Sequence, residues 1–567
     1  MKRTILFLLA LAATISGTLS LRGETRRRYT VTTKAAAPHA AAMRMVANAG
    51  EKPLRMRTFA NVNGFAADLT EEEVAELRDT AGITSVDPVV ERWASDLAPS
   101  SRRPGDITTN LENYDQQILP WGLPVIHAAE VWPVTRGEGI NVAIIDTGID
   151  YSHPDLKAAY VGGYNVYDAA KLPIDDNFHG THVAGIIAAT DNAFGVVGAA
   201  PGVRLWIVKA LDETGKSYDE YIAAGIDWVV GKQREVGGRW VVNMSLGAAA
   251  EGGKLEKAAV VRAADAGIVL VAAAGNRGTA FLDFPAAYDG VIPVGAIGED
   301  GRRAEFSSWG PRMDVVAPGV KVQSTFLDGS VSPLAGELSE QADVVTSGQS
   351  LTALGLLGSP KGQITGKLVD CKLGEREDIP PTVAGNIALI RRGTIDFREK
   401  ARNAKEAGAA SVIIWDHVPS SELKRWTMWP KGCPTGPQCG PEWENYTFPV
   451  TVGVTYEDGQ KLLQHVSSPA QENFVFARYG RLSGTSMATP HVASTAALLL
   501  SLDPTLKPID IMFILKHTAR DTADPGWDFE TGYGIVDALA AAQFVAPDKF
   551  GLPPPDYKPG RRRTVRP

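Results

Sequence analysis

The sequence predicts an α/β protein whose main part is a doubly wound, mostly parallel sheet. From about residue 117 to 328, buried strand patterns alternate with helix patterns. The strand patterns are continuous apolar runs, which are typical of parallel strands covered by helices on both faces. The pattern changes between about 330 and 475 and returns after residue 478, which indicates that one domain is inserted into another.

Composition excludes several classes of protein. The 567 residues are 44% hydrophobic and 22% charged, which is ordinary for a globular chain of several domains. The net charge is −8, whereas a nucleic-acid-binding protein normally has a basic face, so no nucleic-acid partner is expected. Three cysteines are too few for a disulfide scaffold or a cysteine-rich metal cluster.

The N-terminus has the pattern of a signal peptide. Lys2 and Arg3 precede a short apolar run over residues 4–13, and small residues follow at positions 16, 17 and 20. The run is too short for a membrane span, so we predict a signal peptide over 1–22 and a secreted or periplasmic protein. The alternative is a buried N-terminal helix. The first cysteine is Cys371, so no lipid or membrane anchor is expected near the cleavage site.

Residues 29–92 predict a small α+β unit, followed by a linker. Strand patterns cover 29–34, 62–69 and 83–88. Between the last two strands, Thr70 and Glu73 have the spacing of a helix capping box, and Gly82 ends the helix. The segment 93–111 is polar and contains Pro, Ser and Arg, which predicts an exposed linker.

The remaining elements define the main domain, the insert and a tail. The main domain covers 112–330 and 475–546, with strands predicted over 141–145, 204–210, 240–244, 268–272 and 291–294. Its helices are predicted over about 179–189, 218–232, 253–266 and 486–502. The insert covers 331–474, with strands over 366–369, 387–390 and 411–415 and a helix over 397–407. The Pro- and Arg-rich residues 547–567 predict a disordered basic tail.

Four residues of the main domain are candidate catalytic groups. Asp146 follows an apolar strand at its carboxyl end, where open α/β sheets bind ligands. His179 opens a helix, and Ser486 begins a helix whose N-terminus favours a developing anion. Together they supply a nucleophile, a base and an acid that orients the base. Asn276 follows a strand and a glycine, so its amide is a candidate oxyanion donor.

Each candidate also has a simpler interpretation. Asp146 could only cap a turn, and Ser486 could be an ordinary helix N-cap. His179 and His182 could form a metal pair, although no nearby Glu completes an H-E-x-x-H pattern.

Several motifs resemble those of the subtilase family of serine endopeptidases, over about residues 112–330 and 475–545. They are Asp146-Thr-Gly, His179-Gly-Thr-His, Asn243-Met-Ser-Leu-Gly, Ala274-Gly-Asn and Gly484-Thr-Ser-Met-Ala-Thr-Pro, in the chain order Asp, His, Ser. The resemblance implies that Asp146, His179 and Ser486 are the triad, that Asn276 is the oxyanion donor, and that His182 and His491 are structural. It also implies a substrate-binding cleft, which pairs with extended peptides and is lined by Ser245, Leu246, Gly247, Ala273, Ala274 and Gly275.

Two further segments resemble domains that accompany subtilases. Residues 29–92 resemble an I9-type inhibitor propeptide through Asn63-Gly-Phe-Ala-Ala-Asp-Leu. This implies a zymogen that processes itself, with its own propeptide as an intramolecular inhibitor. The insert resembles a protease-associated (PA) domain through the runs 386–393 and 397–409.

The family resemblance also implies a structural Ca²⁺ ion, which requires several oxygen ligands. The matching ligands are the side chains of Gln117, Asp155 and Asn192 and the backbone carbonyls of Thr190, Phe194 and Val196. The alternative is that these are unrelated polar surface residues.

Asp283 departs from the family pattern. By resemblance it falls near the base of the S1 pocket, where an acid favours a basic P1 side chain. Arg277 could cancel this effect by pairing with Asp283, and the alternative is a solvated loop carboxylate. In the insert, Cys433 and Cys439 permit one disulfide that leaves Cys371 free, although the sequence does not fix the pairing.

Two other functions are alternatives to a serine endopeptidase. A catalytically inactive peptide-binding protein is disfavoured because Asp146, His179, Asn276 and Ser486 are all intact. A serine esterase of the α/β-hydrolase type would need a G-x-S-x-G elbow and a different order of triad residues.

Overall fold

The computed structural model describes residues 26–34, 57–59, 64–94, 114, 116–327, 340–356, 358–393, 395–419, 426, 428, 443, 446–476, 478–522 and 524–552. The predicted signal peptide, the linker beyond residue 94, the cysteines at 433 and 439, and the tail beyond residue 552 lie outside the described residues. The chain divides into two compact units. One comprises Met1–Val90, Tyr218–Glu220 and Gly252–Ala258, and the other Glu91–Ser217, Tyr221–Glu251 and Ala259–Pro567.

The first unit contains a four-stranded antiparallel sheet and a helix. Its strands are β1 (Arg27–Thr33), β2 (Arg57–Phe59), β3 (Gly64–Leu69) and β4 (Ile83–Pro88), in the order β2–β3–β1–β4. Helix α1 (Glu71–Asp79) begins with the predicted capping box, in which Thr70 and Glu73 each bind the other's backbone N–H. Capping side chains therefore start this helix where the sequence predicts it.

The core of the second unit is a seven-stranded sheet. Before the insert, the strands of this unit are β5 (Glu91–Ala94), β6 (Ile140–Asp146), β7 (Tyr160–Asn165), β8 (Arg204–Lys209), β9 (Lys216–Tyr218), β10 (Arg239–Met244), β11 (Leu246–Gly247), β12 (Val269–Ala273), β13 (Val291–Ile297), β14 (Val315–Pro318) and β15 (Val322–Thr325). The sheet has the order β14–β13–β12–β10–β6–β8–β7, and all its pairs are parallel. The doubly wound prediction is confirmed.

The direction of winding reverses between β6 and β10. From β6 the chain adds β7 and β8 on one side and β10, β12, β13 and β14 on the other. Such a reversal leaves a crevice at the carboxyl ends of the strands, which is where open α/β sheets bind ligands. The helices before the insert are α2 (Gly122–Val125), α3 (His179–Ala188), α4 (Asp219–Val236) and α5 (Lys254–Asp265).

The insert folds as a closed β-barrel. Its strands are β16 (Glu340–Thr346), β17 (Gln349–Gly355), β18 (Gly362–Asp370), β19 (Ile387–Arg391), β20 (Ser411–Trp415), β21 (Val450–Val454) and β22 (Pro469–Phe476), in the order β16–β17–β21–β20–β19–β18–β22. Helices α6 (Phe397–Glu406) and α7 (Tyr456–Leu463) and the 3₁₀ turns Arg376–Asp378 and Pro381–Val383 complete it. Cys371 is buried, and within the part of the chain that the structure describes its thiol is free.

The chain returns from the insert through β23 (Tyr479–Leu482), which pairs antiparallel with β15. The last helices are α8 (Thr485–Leu502), α9 (Pro508–Thr518) and α10 (Ala538–Val545). Every residue of α8 except Ser501 is buried, because the helix packs between the main sheet, α3 and α10. Within the described residues, no helix combines the length and apolar character needed to cross a membrane.

Two predicted segment limits differ from the structure. Trp93 and Ala94, assigned to the linker, belong to β5. The predicted tail begins too early, because Pro547–Phe550 form a 3₁₀ turn in which Pro547 is buried. Its composition predicted disorder, but these residues pack at the end of α10.

Candidate active site

The carboxylate of Asp146 and the imidazole of His179 form a buried, hydrogen-bonded pair. Asp146 is the last residue of β6, beside the point where the winding reverses, and His179 is the first residue of α3. The distance from Asp146 Oδ1 to His179 Nδ1 is 2.7 Å, and neither side chain is accessible to solvent. This bond leaves the other ring nitrogen, Nε2, to act as the base.

The surroundings of Asp146 act in opposite directions on its ionisation. Burial raises the pKa of the Asp146 carboxyl, while the imidazole of His179 and the N–H of Thr147 oppose that shift. The Thr147 N–H donates to Asp146 Oδ1 at 2.7 Å. A turn-capping role would account for the Thr147 bond, but it would not account for the bond to His179.

Ser486 is the second residue of α8. The N-cap of this helix is Gly484, with no capping side chain, so the N-cap interpretation of Ser486 is wrong. Ser486 Oγ donates to the carbonyl oxygen of Ser245 at 2.9 Å, and Ser245 Oγ donates to the carbonyl oxygen of Ser486 at 2.8 Å. Asn243 holds Ser245 in turn, because its Nδ2 donates to Ser245 Oγ at 3.0 Å. These bonds fix the start of α8 beside the carboxyl end of β10.

The amide of Asn276 is oriented by the residue that precedes Ser486. Asn276 Oδ1 accepts hydrogen bonds from the backbone N–H and the hydroxyl of Thr485, both at 2.9 Å. Because the oxygen is held on that side, the NH₂ group of the amide is the part that can donate to another group. Asn276 is therefore next to the start of α8, as an oxyanion donor must be.

The predicted substrate-binding strand already pairs with an extended segment of the same chain. Strand β11 is antiparallel to β5, with Leu246 opposite Ala94 and Gly247 opposite Trp93. On its other side β5 is bordered by β9, and the Ala94 N–H donates to the carbonyl oxygen of Gly215 at 2.8 Å. The predicted substrate-binding strand thus has a β-strand of the same chain paired with it.

The other predicted cleft residues lie at the end of β12 and directly after it. Ala273 ends this strand, and Ala273, Ala274 and Gly275 are all buried. The Gly275 N–H donates to Thr485 Oγ1 at 3.2 Å, which joins this segment to the start of α8.

Asp283 lies directly against two glycines of the cleft. A Cβ atom on Gly247 would be 2.7 Å from Asp283 Cβ, and one on Gly275 would be 2.5 Å from Asp283 Cγ. The residue is only 4% exposed, so its interpretation as a solvated loop carboxylate is wrong. Both carboxylate oxygens bind the guanidinium of Arg277, with Arg277 Nη1 3.1 Å from Asp283 Oδ2. Of the alternatives left open by the sequence, the structure shows the pairing with Arg277.

The three side chains predicted to bind calcium lie in one hydrogen-bonded cluster around Asp155. Asn192 Nδ2 donates to Asp155 Oδ1 at 2.8 Å, and the Val196 N–H donates to Asp155 Oδ2 at 3.1 Å. Gln117 Nε2 donates to the carbonyl oxygen of Thr190 at 3.0 Å.

The same loop holds Phe194, whose N–H donates to Asn192 Oδ1 at 2.9 Å. Gln117 and Asn192 thus direct amide N–H groups at Thr190 and Asp155, so each amide would have to rotate to present its oxygen to a cation, and rotation of Asn192 would break the bond from the Phe194 N–H. In the described part of the chain, no three His, Cys, Asp or Glu side chains gather as a metal site. A cation at this cluster would therefore depend on the neutral oxygens around the single carboxylate of Asp155.

The two other histidines of the motifs bind backbone carbonyls. His182 Nε2 lies 3.1 Å from the carbonyl oxygens of both Val322 and Gly480. His182 is thus occupied by the backbone while His179 Nδ1 binds Asp146, so the structure does not bring the two together as a metal pair. His491 Nδ1 donates to a carbonyl oxygen at 2.8 Å, and burial lowers the pKa of this imidazole to about 4.

One buried acid of the site was not predicted. Asp175 lies four residues before His179, and its carboxylate accepts hydrogen bonds from the hydroxyls of Thr147 and Thr181. The sequence signal that could have identified it is the polar run over 175–177, directly before a buried helix.

Comparison with known proteins shows the family to which the chain is similar. The profile of the subtilase family matches residues 137–353 and 450–534, and that of the PA domain matches 364–462. A thermostable alkaline protease of Halalkalibacterium halodurans is 42% identical over 231 residues, which span 41% of this chain and 62% of that protein. Subtilisin DY of Bacillus licheniformis is 43% identical over 225 residues, which span 39% of this chain and 79% of that protein.

A crystal structure of a psychrophilic subtilisin-like protease from Pseudoalteromonas sp. AS-11 aligns with 76% of this chain and 99% of that one, at 28% identity and a TM-score of 0.48. The subtilase profile covers more than half of the sequence and includes Asp146, His179, Asn276 and Ser486. The chain therefore belongs to the subtilase family of serine endopeptidases and carries an inserted PA domain.

Proposed function

We propose that this chain is an exported endopeptidase that cleaves protein and peptide substrates with a triad of Asp146, His179 and Ser486. The observation that carries the proposal is the buried 2.7 Å bond between Asp146 Oδ1 and His179 Nδ1. It lies at the same edge of the sheet as Ser486, which is bonded to Ser245 just after β10.

In the acylation step, Ser486 Oγ turns from the Ser245 carbonyl to His179 Nε2 and attacks the carbonyl carbon of the scissile bond. Its proton passes to Nε2, and the Nδ1–H bond to Asp146 holds the tautomer and stabilises the imidazolium. The carbonyl oxygen becomes negatively charged and accepts a hydrogen bond from Asn276 Nδ2, with further stabilisation from the N-terminus of α8.

The intermediate then collapses and the C–N bond breaks. His179 gives its proton to the leaving amine, which leaves the acyl group on Ser486. In the second half, a water molecule passes a proton to His179 and attacks the acyl carbon. The proton returns to Ser486 Oγ as the ester bond breaks and the carboxylic acid leaves.

The same site supports synthesis as a zymogen that the enzyme processes itself. Strand β5 lies on β11 in the manner of a bound peptide and follows the unit assigned to the inhibitor propeptide. Backbone pairing of this kind gives affinity with little dependence on sequence. The inhibitory segment therefore extends through Ala94, beyond the predicted limit at residue 92.

Mass and N-terminal sequencing of the wild type beside Ser486→Ala test both proposals. We expect the wild type to lose the segment before about residue 110 and the variant to keep it. If both chains are cut at the same position, processing is not autocatalytic. A fluorophosphonate that labels the wild type but not the variant would independently support Ser486 as the nucleophile.

The preference for a basic P1 residue depends on whether Asp283 carries a free charge. Its bidentate pairing with Arg277 supports the alternative in which the two charges cancel. We therefore expect the wild type to cleave P1-Phe peptides at least as well as P1-Arg peptides, and Arg277→Ala to shift the ratio toward Arg. Asp283→Ala is the matched control. A wild type that cleaves P1-Arg peptides better than P1-Phe peptides would instead support a preference for a basic P1 residue.

Calcium is proposed as a structural ion at the Asp155 cluster. Asp155, Gln117 and Asn192 would hold it, with the carbonyl oxygens of Thr190, Phe194 and Val196. The support is that the buried Asp155 carboxylate accepts hydrogen bonds from the Asn192 amide and the Val196 N–H, and that the Gln117 amide binds the Thr190 carbonyl of the same loop. Such an ion would add rigidity to the loop and take no part in the chemistry.

Export is supported by the predicted signal peptide over residues 1–22. Expression with the native N-terminus and mass analysis of the medium and the periplasm test it. We expect the exported chain to lack the apolar run, and a cell-retained chain that begins at residue 1 would contradict the proposal.

A further inference from the structure

We propose that Asp175 positions the catalytic pair, because its carboxylate holds the loop after Asp146 and the start of helix α3 in one hydrogen-bond network. This inference rests on the proposed triad. Asp175 touches neither substrate nor the reacting atoms in the proposed mechanism, so its role is positioning. It is fully buried, and no arginine or lysine pairs with it among the described residues.

Five hydrogen bonds converge on this carboxylate. Oδ1 accepts from Thr147 Oγ1 at 2.9 Å, from the Asn177 N–H at 3.0 Å and from the Phe178 N–H at 3.1 Å. Oδ2 accepts from the Thr181 N–H at 2.9 Å and from Thr181 Oγ1 at 2.6 Å. A carboxylate offers about four lone-pair sites and donates nothing when ionised, which suits a site made only of donors.

The two threonines extend the network to both halves of the catalytic pair. Thr147 directly follows Asp146, and its hydroxyl also accepts the N–H of Gly180, the residue after His179, at 2.8 Å. Thr181 Oγ1 accepts the N–H of Asp150 at 2.9 Å. The loop after β6 and the first turn of α3 are therefore joined twice, and Asp175 binds both joints.

The backbone of Phe178, the residue directly before His179, gives a reason for these hydrogen bonds. Phe178 has a φ of 129°, which is rare for a residue other than glycine. Backbone strain of this kind persists only where the surroundings hold it, and one of the bonds to Asp175 comes from the Phe178 N–H. The strained residue sets the direction in which His179 enters the helix.

The test uses Asp175→Asn and the pair Thr147→Val and Thr147→Ser. Asparagine has the same shape, but its NH₂ group would face N–H and O–H donors. Thr147→Val removes one joint while keeping the charge of Asp175, and Thr147→Ser restores the hydroxyl. Asp416→Asn is the control, because Asp416 is also buried and accepts two backbone N–H bonds, although it also pairs with Arg392 and lies in the PA domain.

Active sites are counted with a fluorophosphonate, and kcat and KM are measured against pH. We expect kcat per labelled site to fall about 10²-fold in Asp175→Asn and less in Thr147→Val, with KM changed little, because displacement of about 1 Å has that effect. The acidic limb of kcat/KM should move to lower pH in both variants, since a weaker Asp146 bond stabilises the imidazolium less. Thr147→Ser and Asp416→Asn should keep wild-type values.

A purely structural role would lower the unfolding temperature and leave the pH limb and kcat in place, and that result overturns the inference. If Asp175→Asn does not accumulate, the comparison of Thr147→Val with Thr147→Ser tests the inference instead. The inference is rejected if these two variants have the same kcat and the same acidic limb of kcat/KM. A wild type that no fluorophosphonate labels would instead remove the triad on which the inference rests.

Discussion

Replacing Glu472 in the PA barrel by glutamine should remove most of the pH dependence of that domain's stability. Glu472 lies on β22, opposite Val344 of β16 and Ile364 of β18. It is fully buried, and neither carboxyl oxygen has a hydrogen-bond partner among the described residues. Burial raises the pKa of its carboxyl well above the usual 4.5, and the nearby Ser411 hydroxyl, which is outside hydrogen-bond geometry with either oxygen, opposes that shift only in part.

The direction of the effect follows from the raised pKa. In the unfolded chain the carboxyl ionises near pH 4.5, whereas in the folded barrel it keeps its proton to higher pH. Its contribution to stability is therefore complete below that pH and is lost as the pH rises toward the folded pKa, by up to about 1.4 kcal/mol per pH unit. Glutamine does not ionise, so Glu472→Gln should lack this slope. Glu472→Leu should gain about a further 1–3 kcal/mol, because it also removes the buried polar group.

The assay equilibrates the Ser486→Ala chain, which cannot digest itself, in urea at several pH values between about 5 and 8. A hydrogen-exchange pulse under one fixed condition then reports the unfolded fraction of peptides from β16 and β22. Glu377→Gln is the control, since this glutamate is exposed in the same domain. The reasoning is refuted if Glu472→Gln and the wild type lose stability with the same slope between pH 5 and 8.

Three further predictions concern the site. Asn276→Ala should lower kcat about 10²–10³-fold with little change in KM, because its amide acts on the developing oxyanion. A variant whose kcat is unchanged and whose KM is raised instead would contradict this. Chelation of calcium should lower the unfolding temperature of the Ser486→Ala chain, measured by scanning calorimetry, but not that of the chain with both Ser486→Ala and Asp155→Ala. Equal shifts in the two chains would exclude the Asp155 cluster as the calcium site. Gly275→Ala should reduce kcat/KM and stability, since its Cβ would lie 2.5 Å from Asp283 Cγ at a φ of 105°; wild-type peptide cleavage would contradict the geometry.

Local chemistry made part of this molecule predictable from its sequence. The capping box at Thr70 and Glu73 involves four consecutive residues, so its spacing alone locates the helix start. The continuous apolar strands likewise predicted a parallel sheet, because both of its faces are covered. Because Asp146 ends such a strand, the sequence also predicted at which edge of the sheet the site lies.

What the sequence left open depends on contacts between distant segments. The pairing of Arg277 with Asp283 was one of several possibilities, and the burial of the carboxylate decides it. Trp93 and Ala94 follow no strand period of their own, and they form a strand because β11 on one side and β9 on the other offer backbone partners. Asp175 could not be distinguished from a turn residue until its five donors were seen together.

The barrel is inserted between β15 and β23, and this position affects the order in which the segments of the protein are synthesised and fold. Ser486 follows the barrel in the chain, so a growing polypeptide contains the Asp–His pair well before the nucleophile. Joining β15 to β23 closes a loop as long as the whole insert, and the entropic cost of that closure falls if the barrel has already folded and brought its ends together. Helix α8, the buried central helix of the large domain, would then be added after the barrel, and until it is made the chain lacks Ser486.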